Sequence, residues 1–329
     1  WYDSTGDWRV NKTHHPDGLL KVAKAVKDAN MKLLLWFEPE RAIKNTEIVK
    51  EHPEYFIASP FEGDKNVLLN LGDKNAFDYC LNTVSNIIET LGVDCYRQDF
   101  NFSPLEFFRK NDAPDRRGIT EIKHINGLYA FWDELLKRFP TLIIDNCASG
   151  GRRIDFETLK RSVPLWRSDF QCPANFAPEG SQAHNINFGA WLPFSGTGSG
   201  REWGDEYRIR SCYAPGLTTN YFYSERDGFK DDEALYSWIR KTGKEYLKLR
   251  PYFSADIYPL TSTVSKNDAW CAVQYNRPDF RDGVVQVFKR ENSPYTAASF
   301  TLFGLSPESE YTLTDSDSGK TAVLSGKEL

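Results

Sequence analysis

A chain of 329 residues with 40% hydrophobic residues can bury a substantial core, and a net charge of −5 argues against a nucleic-acid partner, which needs basic stripes. No apolar run approaches the roughly 20 residues of a membrane helix, and the opening Trp1-Tyr2-Asp3-Ser4 lacks the basic and apolar regions of a signal peptide. Six scattered cysteines (Cys80, Cys95, Cys147, Cys172, Cys212, Cys271) form no CxxC pair, so buried free thiols are expected rather than disulfides or zinc.

In chain order, Leu19, Leu20, Val22, Ala23 and Val26 recur at helical spacing, and Met31–Phe37 is an apolar run closed by Glu38-Pro39, hence a buried strand. Phe77–Leu91 is helical and stops at Gly92; Val93–Asp99 is a strand, Asn126–Phe139 a helix and Thr141–Cys147 a strand. A short helix at Ile154–Lys160 precedes a strand at Val163–Asp169, with further strand-like runs at Asn185–Phe194 and Ser211–Tyr221 and a long helix at Glu233–Leu249. This alternation predicts a parallel sheet with crossover helices. Glu38, Asp99, Asn146 and Asp169 fall at C-terminal strand ends, where a (β/α)8 barrel of the TIM type puts its active site. The doubly wound alternative needs a glycine-rich phosphate turn after its first strand, and none is present. After Arg250-Pro251 the pattern turns to short alternating runs at 260–264, 269–276, 284–290, 298–302 and 310–315, which read as a small antiparallel β-sandwich. The expected division is therefore a barrel over 1–250 and a sandwich over 251–329.

The aromatic content of 14% suits sugar rings, which lie on flat apolar faces, although large barrels hold many aromatics anyway. Glycoside cleavage needs a proton donor and a carboxylate about the anomeric carbon, roughly 5–5.5 Å apart in a retaining enzyme. Arg97-Gln98-Asp99 ends one strand, and Arg97 on the same face would keep Asp99 ionised, as a nucleophile requires; a structural ion pair explains the motif equally well. Trp166-Arg167-Ser168-Asp169 ends another, with Trp166 and Phe170 near to desolvate the carboxyl and suit it to acid work; a helix N-cap is the bland alternative. Between them, Cys147-Ala148-Ser149-Gly150-Gly151 would let a substrate approach the backbone, and a tight turn accounts for the glycines but not for Arg152 and Arg153. Glu38 and Glu40 form a rival carboxylate pair, and Trp191 and Trp203 flank a Gly-rich loop where they could stack on sugar. His14, His15, His52, His124 and His184 share no metal-ligand spacing, so neither metal nor cofactor is expected.

Taken in order, Gly6-Asp7-Trp8, Leu35-Trp36-Phe37-Glu38-Pro39-Glu40, Arg97-Gln98-Asp99-Phe100-Asn101, Cys147-Ala148-Ser149-Gly150-Gly151 and Trp166-Arg167-Ser168-Asp169 resemble glycoside hydrolase family 36, the bacterial α-galactosidases of the melibiase clan. The resemblance runs from residue 1 to about 225. It implies a retaining double displacement on terminal α-galactosides, with Asp99 as nucleophile, Asp169 as acid/base, and Glu38 and Glu40 as supports. Trp36, Arg97, Asn101, Cys147 and Gly150 would line the sugar subsite, with Arg153 and Trp8 also assigned to substrate. The family more often has Lys at Arg97, Gly at Arg152 and Met at Arg41, which puts the sugar itself in question: an α-N-acetylgalactosaminide is the alternative substrate, and a non-catalytic carbohydrate-binding fragment the alternative role. The resemblance also implies that the first barrel strands and an N-terminal sandwich precede this stretch and that the final sandwich is short of its last strands. Free cysteines lean towards a cytoplasmic protein, and the full-length form is compatible with a homo-oligomer.

Overall fold

The computed structural model describes residues 4–173, 175–192, 194–200, 203–219, 232–262 and 266–329. The chain divides into two compact units, Trp1–Asp169 and Phe170–Leu329.

The first unit runs α1 (Leu20–Asp28), β1 (Leu34–Phe37), β2 (Arg41–Ile43), α2 (Glu47–Glu51), β3 (Phe56–Ala58), β4 (Asn66–Leu69), α3 (Lys74–Leu91), β5 (Cys95–Gln98), α4 (Leu105–Asn111), α5 (Ile119–Arg138), β6 (Ile143–Asn146) and α6 (Phe156–Leu159). Strands β1, β5 and β6 form a parallel sheet with β5 in the middle. Because side chains alternate across a strand, each register row faces one way. The row Leu35–Tyr96–Ile144 turns towards α3 and α5, where Tyr96 and Ile144 share a core with Val84, Ile88, Leu128, Phe131 and Trp132. The next row, Trp36–Arg97–Asp145, faces the opposite side. Asp99, two residues beyond Arg97, continues that face just past the end of β5. Helix α3 is fixed at its start by Asp73, whose carboxylate accepts the amides of Asn75 and Ala76. An antiparallel sheet β2-β4-β3, which the periodicity does not reveal, inserts between β1 and α3.

The expected strand at Val163–Asp169 is corrected to a single parallel bridge between Val163 and Asp145. Pro164 has no N–H with which to extend the ladder, and the next amide, Leu165, donates to the Asp145 carboxylate at 2.9 Å instead. Asp169 consequently sits in a bend and not at a strand end.

The second unit runs α7 (Pro178–Gly189), β7 (Gly196–Gly198), α8 (Glu206–Ser211), β8 (Gly216–Thr218), α9 (Glu233–Leu249), β9 (Asp256–Pro259), β10 (Trp270–Arg277), β11 (Asp282–Lys289), β12 (Glu310–Thr314) and β13 (Thr321–Ser325). Parallel pairing continues between β7 and β8; from β9 onward every ladder among the described residues is antiparallel, as β11-β10-β9 and β12-β13. The compositional change at 250/251 lies inside this unit: Phe253, Val273 and Tyr275 share one core with Ile186 of α7 and Ile209 of α8.

Four strand expectations here are corrected. Asn185–Phe194 begins inside α7, which starts on Pro178 and buries Ser181, Gln182, Asn185 and Ile186; a buried face this polar hides a helix from apolar periodicity. Ser211–Tyr221 holds the end of α8 and only the short β8, with 220–221 outside the described residues. Residues 298–302 form no ladder, although the Leu302 amide donates to the Leu329 carbonyl at 2.9 Å. The strand expected at 260–264 lies earlier, at β9, and 263–264 fall outside the described residues.

Candidate active site

Asp99 is 8% exposed, and both its oxygens are engaged. Oδ1 accepts the backbone amides of Phe100 at 2.8 Å and Ser149 at 3.1 Å. Oδ2 accepts the Asn101 side-chain amide at 2.8 Å and the Trp36 indole at 3.3 Å. Burial alone would raise the carboxyl's pKa, but the hydrogen bonds from Asn101, the Phe100 amide, the Cys147 thiol and the Ser149 amide outweigh it and hold the group below its ordinary value. Cys147 is correspondingly a buried thiol, pushed up to about 12 chiefly by desolvation. Asp99 is thus an ionised, fixed carboxylate at neutral pH.

Arg97 shares its face but does not supply this effect directly, because its guanidinium donates to the buried Asp145 carboxylate at 2.5 Å. The sequence carries no signal for the role of Asp145; only the β5–β6 register, which pairs it with Arg97, reveals it. Arg97 also lies 5.7 Å from the centroid of the Trp166 ring, and the Trp166 indole donates to Asp169 Oδ1 at 2.8 Å. Asp169 is exposed, contrary to the buried carboxyl expected at a strand end, because the segment leaves the sheet at Pro164. The indole hydrogen bond fixes the orientation of this carboxyl.

The two aspartates are joined by the 147–151 turn. Ser149, in a left-handed conformation (φ 47°), aims its amide at Asp99. Gly150, also left-handed (φ 78°), packs against the backbone of Ser168 and Asp169; a Cβ there would stand 2.7 Å from the Asp169 amide nitrogen. Any larger residue at 150 would push the two carboxylates' supports apart.

The rival pair Glu38 and Glu40 is fully buried and committed to cations. Glu38 takes a forked interaction from Arg41 at 3.0 and 2.6 Å and also accepts the Asn101 amide at 2.7 Å. Glu40 meets Arg153, His124 and Gln98; burial opposes its charge, yet Arg153 and His124 bring it down to about 2. Arg153 is therefore brought to Glu40 and stacked 4.7 Å over Phe100, and not to either aspartate, because Asn146 pins its carbonyl at 2.8 Å. Trp8 packs on Trp36 and Phe37, behind the indole that reaches Asp99. Among the described residues no group of three or more His, Cys, Asp or Glu side chains is placed to hold a metal ion, and no helix is long and apolar enough to cross a membrane.

The structure is similar to solved α-galactosidases over 99% of its length. The enzyme from Lactobacillus brevis superimposes with a TM-score of 0.81 at 23% identity and is covered to 44%. AgaB from Geobacillus stearothermophilus, a GH36 α-galactosidase, gives 0.78 at 25% identity with 45% covered. The fold class is accordingly the barrel followed by a sandwich that the alternation suggested. In sequence, 26% identity covers 99% of this chain and 44% of the α-galactosidase Mel36A of Lactobacillus acidophilus, so the chain spans under half the length of such curated relatives. An Escherichia coli α-galactosidase is 31% identical over 50% of this chain. The melibiase family model matches residues 2–177, more than half of the chain. On that match, with its motifs gathered around Asp99 and Asp169, the chain belongs to the melibiase family.

Proposed function

We propose that this chain carries the catalytic centre of a retaining α-galactosidase acting on terminal, non-reducing α-D-galactosyl residues. The observation that carries the reading is the state of Asp99: buried, ionised, held at both oxygens, and tied through one turn to a second, exposed carboxyl. In the first step Asp99 Oδ2, served by side-chain donors, attacks the anomeric carbon, while Asp169 protonates the departing glycosidic oxygen. A covalent galactosyl ester of Asp99 results. Asp169, now ionised, takes a proton from water, whose oxygen displaces Asp99 and releases galactose with its configuration retained. The Trp36 indole would lie beside the ring, and Asn101 and Arg97 would stand within its subsite.

The α-galactosidase names of its relatives support the substrate class, as do the structures of AgaA from Geobacillus stearothermophilus in complex with stachyose and with raffinose. The test is turnover of aryl α-galactoside and aryl α-N-acetylgalactosaminide by the full-length protein. Galactoside turnover that Asp99→Ala abolishes, and that azide restores as galactosyl azide, is the expected result. Preference for the N-acetyl substrate would move the assignment within the family. Normal turnover by Asp99→Ala would remove Asp99 from the mechanism.

A further inference from the structure

The reaction above makes no use of Arg152. Its guanidinium nevertheless gathers four acceptors from both sides of the site: Ala148 O at 3.0 Å, Phe100 O at 2.9 Å, Phe102 O at 3.1 Å and Ser149 Oγ at 3.2 Å. The segment after β5 and the 147–151 turn are thereby clamped to one planar fork. Ser149 Oγ in turn lies 3.0 Å from Asn101 Oδ1, and Asn101 Nδ2 lies 2.8 Å from Asp99 Oδ2.

The direction of this relay follows from its first member. A guanidinium only donates, so the Ser149 hydroxyl accepts from Arg152 and donates its own hydrogen bond to Asn101 Oδ1. That contact fixes the Asn101 amide with oxygen towards Ser149 and nitrogen towards Asp99. Turned over, the amide would set oxygen against carboxylate. The same clamp holds Ser149 in its left-handed conformation, which a residue with a Cβ keeps only under constraint, and so keeps its amide on Asp99 Oδ1.

We infer that Arg152 is a positioning residue for Asp99, acting through Ser149 and Asn101 to keep donors on both carboxylate oxygens. The inference deepens the proposed mechanism and rests on Asp99 being its nucleophile, but its geometry can be tested without turnover. Arg152 is exposed, so Arg152→Met keeps the stem and removes the fork with little risk to the core. In full-length protein labelled with [13C]-aspartate, with the Asp99 signal assigned by its loss in Asp99→Asn, Arg152→Met should raise the Asp99 titration by about one unit. Ser149→Ala, which spares the amide but breaks the relay, should shift it the same way. On aryl α-galactoside, kcat/KM should fall about tenfold on the pH plateau, mostly in kcat, with the acid limb displaced upward in step, and Arg152→Lys should restore only part of it. An Asp99 titration unchanged in Arg152→Met, or in Ser149→Ala should the first variant not fold, overturns the inference. A parent enzyme that turns over no galactoside overturns the functional reading instead, while the carboxyl titration still decides the role of Arg152.

Discussion

Burial and hydrogen bonding pull Asp99 in opposite directions, and hydrogen bonding wins. A nucleophile works ionised, so activity should persist above the folded-state pKa and be lost as pH falls through it. Because that pKa is depressed below 3.8, the acid limb of kcat/KM should lie below about pH 4; a limb centred near 5 would show that the donors do not act as described. Glu40 obeys the same sign for stability. Its folded pKa of about 2 lies under the ordinary 4.5, so its contribution is complete above 4.5 and disappears as pH falls towards 2. Glu40→Gln would leave Arg153 and His124 without their buried carboxylate and should cost about 3–5 kcal/mol in urea unfolding at pH 7. At this scale the sequence was informative about residue types and poor about partners. Asp99 and Asn101 are legible as a motif, whereas the motif alone puts Arg97 beside Asp99 and the structure pairs it with Asp145, since only a register brings residues 48 apart together.

Helices with a wide apolar stripe and a capping residue, such as α3 and α9, were readable to within a few residues. Elements whose buried face is polar were not: α7 hides Gln182 and Asn185, which reach Tyr207, Ser211 and Tyr213. Close backbone approach is equally invisible in sequence. Helix α5 packs so tightly on the chain after β4 that a Cβ at Gly127 would stand 2.1 Å from the Leu71 carbonyl oxygen. Gly127→Ala should therefore destabilise by about 1–3 kcal/mol in urea titration, and a neutral result would contradict this packing. Helix α1 is the opposite case, burying none of its residues while α3 buries Ala76, Cys80, Leu81, Val84, Ser85 and Ile88. Amide exchange in α1 should be markedly faster than in α3, and equal protection would contradict the difference in burial.

For the molecule as a whole, parallel β/α alternation followed by antiparallel strands was legible because period and connection length differ between the two patterns. The division into Trp1–Asp169 and Phe170–Leu329 was not, because it depends on which cores the segments share, as Phe253 and Tyr275 do with Ile186. Both candidate catalytic carboxylates belong to the first unit, within the span matched by the family. The most direct test of their roles is to trap the covalent intermediate. The full-length protein would be incubated with a fluorinated galactosyl fluoride that forms the glycosyl ester faster than it hydrolyses, then digested and weighed peptide by peptide. A galactosyl adduct on the peptide bearing Asp99, at its carboxylate, is the predicted result; turnover without an adduct there, or an adduct on Asp169, Glu38 or Glu40, would contradict it.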